Sequence, residues 1–327
     1  MKRLLKIYFE KPEFAGIALL VILAVVFQWR SQGVFLSADN VRGILGILPE
    51  VGLVAVGVTL LMICGEFDLS VGSVFGFSAV FMWTLINSAG MPLAVAFALT
   101  MVLALFIGWA NGYITTKLAI PSFLVTLGML LIVRGTALYI TDGFPQRTWS
   151  TGDSVLAQTL AGSFFIGEFR FYASFAWFAL FAIICGYVLS ATAFGNWLQA
   201  AGGNPNAAHA RGVDVARTKI ALFMLSSAMA ALAGVTSSIR TAASNPNSGT
   251  GYELEVIAMV VIGGTVLTGG RGTVLGTVIG IFLLRVMRNG IVLVGVPGLA
   301  YNIFIGAIIL GMMILRAVFA RRHGGSV

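Results

Sequence analysis

The sequence predicts an all-α, polytopic membrane protein of about ten transmembrane helices with both termini in the cytoplasm. Three observations lead there. Hydrophobic residues make up 58% of the 327 residues and charged residues only 10%. Mean hydropathy is +0.97. Apolar stretches of about 20 residues, the length that crosses a bilayer core, recur from Phe14 to Leu315. So little charge cannot clothe a soluble surface, and no sizeable soluble domain fits between the stretches.

Charged and Gly/Pro/Asn-rich breaks divide a single transmembrane domain, 1–327, into spans at about 14–29, 44–64, 69–87, 91–116, 121–141, 171–192, 218–239, 252–268, 273–293 and 298–316. The first run, Phe14–Phe27, follows Lys2, Arg3, Lys6 and Lys11 in the manner of a signal peptide. It ends in Gln28-Trp29-Arg30 without a small-x-small cleavage site, so it is expected to stay as an uncleaved span.

Ten spans put both termini on one side. The N-terminus, Lys117, the 193–219 loop, Arg271 and the C-terminus hold twelve of the twenty Lys and Arg, including every lysine. The opposite face holds Arg30, Arg42, Arg147, Arg170 and Arg240, and the positive-inside bias makes the first face cytoplasmic. The net charge of +8 is thereby assigned to membrane topology and lipid headgroups, and not to nucleic acid. The longest outer loop is roughly 142–170, and the main inner loop is 193–217.

Catalytic and metal chemistry find no support. Cys64 and Cys185 lie in apolar segments, His209 and His323 are the only histidines, and there is no phosphate-cradling G-x-x-x-x-G-K-[ST]. No pair of residues has the spacing of a hydrolase or nucleophilic site. Any ATP must be handled by a partner. Gly72–Gly76 resembles Gly272–Gly276, and Asn111-Gly112 before Pro121 resembles Asn289-Gly290 before Pro297. Such echoes arise from internal repeats or by chance in Gly-rich helices.

Within the inner loop, Gly203-Asn204-Pro205-Asn206-Ala207-Ala208-His209-Ala210-Arg211-Gly212 spells a short helix. Asn204 suits the N-cap, Pro205 the first turn and Gly212 the C′ position. So short a helix is marginal alone, which favours docking to a partner over a solvated connector. Ala207 and Ala208 are expected to form its small docking face.

Asn206–Gly212 resembles the E-A-A-x-x-x-G coupling segment of ABC importer permeases, with Asn206 where the family has Glu. Three further segments resemble the ribose, arabinose and xylose type. Gly65-Glu66-Phe67-Asp68-Leu69-Ser70-Val71-Gly72 is similar to its G-G-x-D-L-S-V-G, with Glu66 replacing the second Gly. Asn111-Gly112 with Ile120-Pro121-Ser122-Phe123-Leu124-Val125-Thr126-Leu127-Gly128 is similar to its N-G…I-P-S-F-x-V-T-L-G, followed by Arg134-Gly135. Ile262-Gly263-Gly264-Thr265 with Thr268-Gly269-Gly270-Arg271-Gly272-Thr273 is similar to its late Gly-rich turn.

The resemblance implies a bacterial inner-membrane permease that imports a pentose, hexose or related polyol by alternating access. It implies pairing with a second copy or paralogue, two cytoplasmic ABC ATPase subunits on the 193–217 loops, and a periplasmic sugar-binding protein that sets most of the selectivity. The chain itself then binds no cofactor, and ATP with Mg belongs to the ATPase. Permeases for a branched-chain amino acid or nucleoside share this architecture. An ion-coupled carrier would want ion or proton ligands at the midplane, where the only clear ionisable residue is Arg134, and the sequence therefore disfavours it.

Six residues are candidates for translocation or gating: Glu66, Asp68, Ser70, Asn111, Ser122 and Arg134. Asp68 or Ser70 reads as the N-cap of the third span, or as part of a broken-helix turn that the expected topology places at the inner surface. Asn111 suits interhelical packing. Arg134, about 20 Å along its span, must face protein or water. Arg285 and Arg288 share a helix face and match Glu253 and Glu255 in depth, which predicts a structural charge cluster. Trp29, Trp149 and Trp177 read as interface anchors.

Overall fold

A computed structural model describes residues 12–148, 154–167 and 169–301, with isolated positions out to 314. The expected tenth span, the N-terminal lysines, Trp149 and the C-terminal arginines lie largely or wholly outside the described residues.

The first helices match the apolar stretches closely: α1 Pro12–Arg30, α2 Ala38–Ile63, α3 Val71–Ala89, α4 Leu93–Lys117 and α5 Ser122–Thr141. The segment after α5 has structure of its own. Strand β1 (Gln146–Arg147) is followed by α6 (Val155–Ala161) and the antiparallel pair β2 (Ser163–Ile166) and β3 (Phe169–Tyr172). Then come α7 Ala173–Ala191, the two short helices α8 Ala193–Gly203 and α9 Pro205–Ala210, and the long α10 Val215–Thr241. Strand β4 (Ala243–Ser244) pairs with β1, and α11 Tyr252–Ile262 and α12 Val274–Leu293 follow.

Seven of these helices, α2, α3, α4, α5, α7, α10 and α12, are long and apolar enough to cross a membrane. Burial sorts them into layers. Along α2 nearly every residue from Leu48 to Ile63 is buried, and α10 packs against α2, α3 and α4 to complete the centre. Helices α1, α4, α5 and α7 turn broad apolar faces outward, as in Val25, Val102, Leu131 and Ile183. Such surface is stable only against lipid or another apolar partner.

The eighth expected span, 252–268, is not one. Helix α11 has 11 residues, about 16 Å at the α-helical rise, roughly half of a bilayer core. It starts after Gly251 at φ 84° and stops at Gly263, followed by Gly264 at φ 100° and by Gly269 and Gly270, both left-handed. The missing half is return loop. Residues 246–249 pack back along the start of α3, where Gly76 lies under the carbonyls of Pro246 and Ser248. A side chain at Gly76 would collide with that backbone.

Arg240 is also misplaced by loop counting. It closes the last turn of α10 and binds Glu50 of α2, with Nε 2.6 Å and Nη2 3.2 Å from the two carboxylate oxygens. It is therefore part of the packed core and carries no loop charge.

Cysteine substitution tests the layering directly. Thiols at Ser154 and Ala207 lie at opposite ends of the helix bundle, and are expected to react with an impermeant maleimide from opposite faces of sealed vesicles. Labelling from one face would mean an even number of crossings between them.

Candidate functional site

Helix α9 forms as its residues direct. The Asn204 side chain accepts from the Ala207 N–H at 3.0 Å, and Pro205 occupies the first turn. At the other end Gly212 adopts φ 86°; its N–H donates to the His209 carbonyl at 2.9 Å, and the Val213 N–H donates to the Ala208 carbonyl at 3.1 Å. This pair of bonds is a Schellman closure, whose backbone contact joins the buried Ala208 and Val213.

That contact corrects the expected docking face. Ala208 is buried, so Ala207 and Ala208 cannot both meet a partner. Gly203, Asn204, Pro205, Asn206, Ala207, His209, Ala210, Arg211 and Gly212 are the exposed members of the segment. A six-residue helix has room for one inward position per turn, and Ala208 takes it.

Only the first part of the Gly65–Ser70 turn approaches a surface. Asp68 and Ser70 are fully buried, and their partners lie well inside their helices. The Asp68 carboxylate accepts from the Ser70 N–H at 2.9 Å, the Ser70 hydroxyl at 2.6 Å and the Ser226 hydroxyl at 2.9 Å. Asn111 donates its amide to the Ser70 hydroxyl at 3.0 Å. Ser226 is 11 residues into α10, about 16 Å along it. The chain thus turns back into the bundle after Ile63, and α3 begins at depth as a broken helix.

The N-cap expectation changes accordingly. Ser70 precedes α3 in right-handed helical conformation and makes no side-chain cap bond. Its hydroxyl is engaged by Asp68 and Asn111. Ser122 performs a related task at the head of α5, where its hydroxyl accepts from the Phe67 N–H at 3.2 Å. Glu66 forms an ion pair with Lys219 of α10, a partner that spacing did not suggest.

Arg134 joins the two breaks. Its guanidinium donates to the carbonyls of Gly72 and Ser248, both at 2.9 Å, and to that of Pro246. It therefore fastens the start of α3 to the return loop before α11. Glu253 sits at this junction, with its carboxylate beside Gly72 and accepting from the Gly251 N–H at 3.2 Å.

The expected charge cluster forms without Glu253. Glu255 lies 3.3 Å from Arg285 and 3.7 Å from Arg288, and accepts from the Tyr301 hydroxyl at 3.0 Å. Arg288 stacks over the Tyr301 ring at 4.9 Å. Glu253 and Glu255 are two positions apart, which on a helix turns them about 200° from each other.

Sequence reasoning missed Glu50, Lys219, Ser226 and Thr115. Glu50 had a legible signal, since it stands alone in the apolar run 43–64 and an ionisable residue inside a span needs a partner. The hydroxyl residues gave none. Of the tryptophans, Trp29 is exposed at the end of α1, whereas Trp177 donates its indole N–H to the Thr159 carbonyl at 2.9 Å.

At the α9 end of the bundle a cleft of about 680 Å³ opens between α9, the 115–119 segment and the start of α10, lined by Glu66, Thr115, Lys117, His209, Asp214 and Lys219 among others. No group of three His, Cys, Asp or Glu suited to a metal occurs among the described residues.

Comparison with known proteins bears on the whole chain. A family model described as branched-chain amino acid transport system / permease component matches residues 40–313. The chain is 32% identical to the xylose transport system permease protein XylH of Escherichia coli (strain K12), over 91% of this chain and 89% of that protein. It is 33% identical to the ribose import permease protein RbsC of the same organism, over 91% of each. The autoinducer 2 import system permease protein LsrC of Salmonella paratyphi B is 32% identical over 94% of this chain and 86% of its own length. No solved structure matches the chain.

Proposed function

The chain belongs to the family described as branched-chain amino acid transport system / permease component, and on that premise we propose that it brings a pentose, hexose or related polyol into the cytoplasm by alternating access. It is an inner-membrane permease subunit of an ABC importer and not an enzyme; ATP is hydrolysed by a separate subunit. The proposed assembly pairs this chain with a second copy or paralogue. Two ATPases, which use the ATP and Mg, dock at the 193–217 loops, and a periplasmic binding protein delivers the sugar.

One observation carries the coupling part of this reading. Helix α9 is a six-residue helix closed at both ends, with its exposed residues turned to solvent and its one buried residue turned to the bundle. A helix so short does not persist without tertiary support. Here it is anchored from behind and free in front, the arrangement a docking element needs. Alternating access is supported by the two helix breaks, which are fastened to each other by Arg134 and do not run as rigid through-helices.

The monosaccharide class is supported by the relatives named for xylose, ribose and autoinducer 2, although the family description names branched-chain amino acids. Proteoliposomes decide between them. The purified chain alone is expected neither to hydrolyse ATP nor to accumulate D-xylose, D-ribose or L-leucine. With its ATPase and binding protein added, ATP-dependent uptake of one of the sugars is expected. Uptake of leucine alone would reassign the substrate, and uphill uptake driven by an ion gradient alone would overturn the importer reading.

A further inference from the structure

The α9-end cleft and the buried Asp68 cluster are connected by polar groups on two facing helices. On α4, Thr115 lines the cleft and Asn111 lies one turn deeper on the same face. On α10, Lys219 lines the cleft and Ser226 lies two turns deeper on the same face. The turn 65–70 runs between them, presenting Glu66 at the cleft and Asp68 at depth.

Two polar atoms along this line of groups lack partners. The Thr115 hydroxyl and the Asn111 Oδ1 are buried with no hydrogen bond, although Asn111 is fully buried and Thr115 nearly so. A buried amide oxygen without a donor is costly, and the same amide is linked through the Ser70 hydroxyl to the Asp68 carboxylate, which has no ion-pair partner among the described residues. Asp68 is instead satisfied by hydroxyls, those of Ser70 and Ser226. The Ser226 bond crosses between chain segments, so displacement of α10 would free one carboxylate oxygen for another hydroxyl donor.

We propose that the cleft and the Asp68 cluster are two ends of one route for a polyhydroxylated solute, closed in this structure by the Glu66–Lys219 ion pair. The chemistry of these groups matches such a solute. Sugar hydroxyls donate to Asp68 Oδ2 and to Asn111 Oδ1, and both donate to and accept from Thr115. An amino acid zwitterion would demand a fixed cation and anion at depth, and among the described residues the Asp68 carboxylate is the one charged group of this line at that depth. The ion pair bridges the 65–70 turn to α10 at the mouth, beside α9. Movement transmitted to α9 and the start of α10 therefore reaches the latch first. This proposal rests on the permease reading above.

The test uses the complete importer in proteoliposomes with Cys64 and Cys185 replaced by Ala. In Asn111→Cys, a small charged methanethiosulfonate applied from the α9 side is expected to react about tenfold faster when Lys219→Gln is also present, because reactivity scales with the open fraction. Equal rates in the two backgrounds, or no reaction in either, would overturn the latch. In Glu66→Cys/Lys219→Cys, oxidation is expected to lower uptake of D-ribose or D-xylose about tenfold and reduction to restore it. Unchanged uptake in the oxidised state, with the cross-link verified by mass, would also overturn it. Copurification of the ATPase reports that each variant is folded. Thiol labelling needs no sugar, so failure of the latch is separable from failure of the wild-type complex to import one.

Discussion

Gly212→Val is expected to abolish ATP-driven uptake while leaving the chain in the membrane. No heavy atom lies within 4 Å of where a Cβ at Gly212 would stand, so the substitution meets no neighbour and its whole effect is on the backbone. At φ 86° a β-branched residue costs about 1–2 kcal/mol or more relative to a conformation it prefers. Relieving that strain breaks the bonds from Gly212 to His209 and from Val213 to Ala208, which are the closure of α9. A six-residue helix has no reserve to survive it. Gly212→Asn, which tolerates the left-handed region, should retain most coupling.

A paired comparison separates docking from folding. Ala207→Trp places bulk on the exposed side and is expected to lower copurification of the ATPase with the chain intact. Ala208→Trp forces the same bulk into the buried contact with Val213 and is expected to destabilise the loop itself. Normal ATPase attachment and coupled uptake in both Gly212→Val and Ala207→Trp would make this loop a connector.

Glu50→Gln is expected to produce the largest loss of stability among single core substitutions of charge. Glu50 is 2% exposed in the most buried helix of the bundle, and both its oxygens are taken by Arg240. Arg240 also lies over the Tyr172 ring at 5.4 Å, so the pair ties α2 and α10 to the end of β3. Removing one partner of a buried pair typically costs about 3–5 kcal/mol, because the other charge is left uncompensated. Thermal unfolding in detergent measures it. Arg240→Gln should cost a similar amount, and the double variant should be much less than additive. Full additivity would dissolve the pair. Glu255→Gln should behave similarly through Arg285, whereas Arg288→Gln should cost less because Arg288 is 47% exposed.

Much was legible without coordinates because it depends on local chemistry. Apolar length marked seven helices that the structure contains, from α2 to α12, because a bilayer imposes the same length on every span. The caps of α9 were legible because Asn204, Pro205 and Gly212 satisfy their own backbone within a few residues. Glu255 and Arg285 could be matched because helical rise converts residue number into depth.

Other features were decided only by tertiary structure. The 11-residue half-helix α11 and the turn 263–268 after it read as one apolar span, since hydropathy registers composition and cannot see where the chain leaves the helix at Gly263 and Gly264. Rise arithmetic assumes that every break lies at a surface, so it could not place Asp68 at the depth of Ser226. Lys219 and Ser226 looked like an ordinary cytoplasmic lysine and a small packing residue. They acquire partners 153 and 158 residues away in Glu66 and Asp68. A side chain's length and charge are written in the sequence, whereas which group it must satisfy is set by the packing of helices distant along the chain. By itself the sequence determined a polytopic helical membrane protein with a short capped helix in the loop after α7. The folding of the bundle decided which of its polar residues were brought together inside it, because a buried polar group has to find its partner wherever the packing places one.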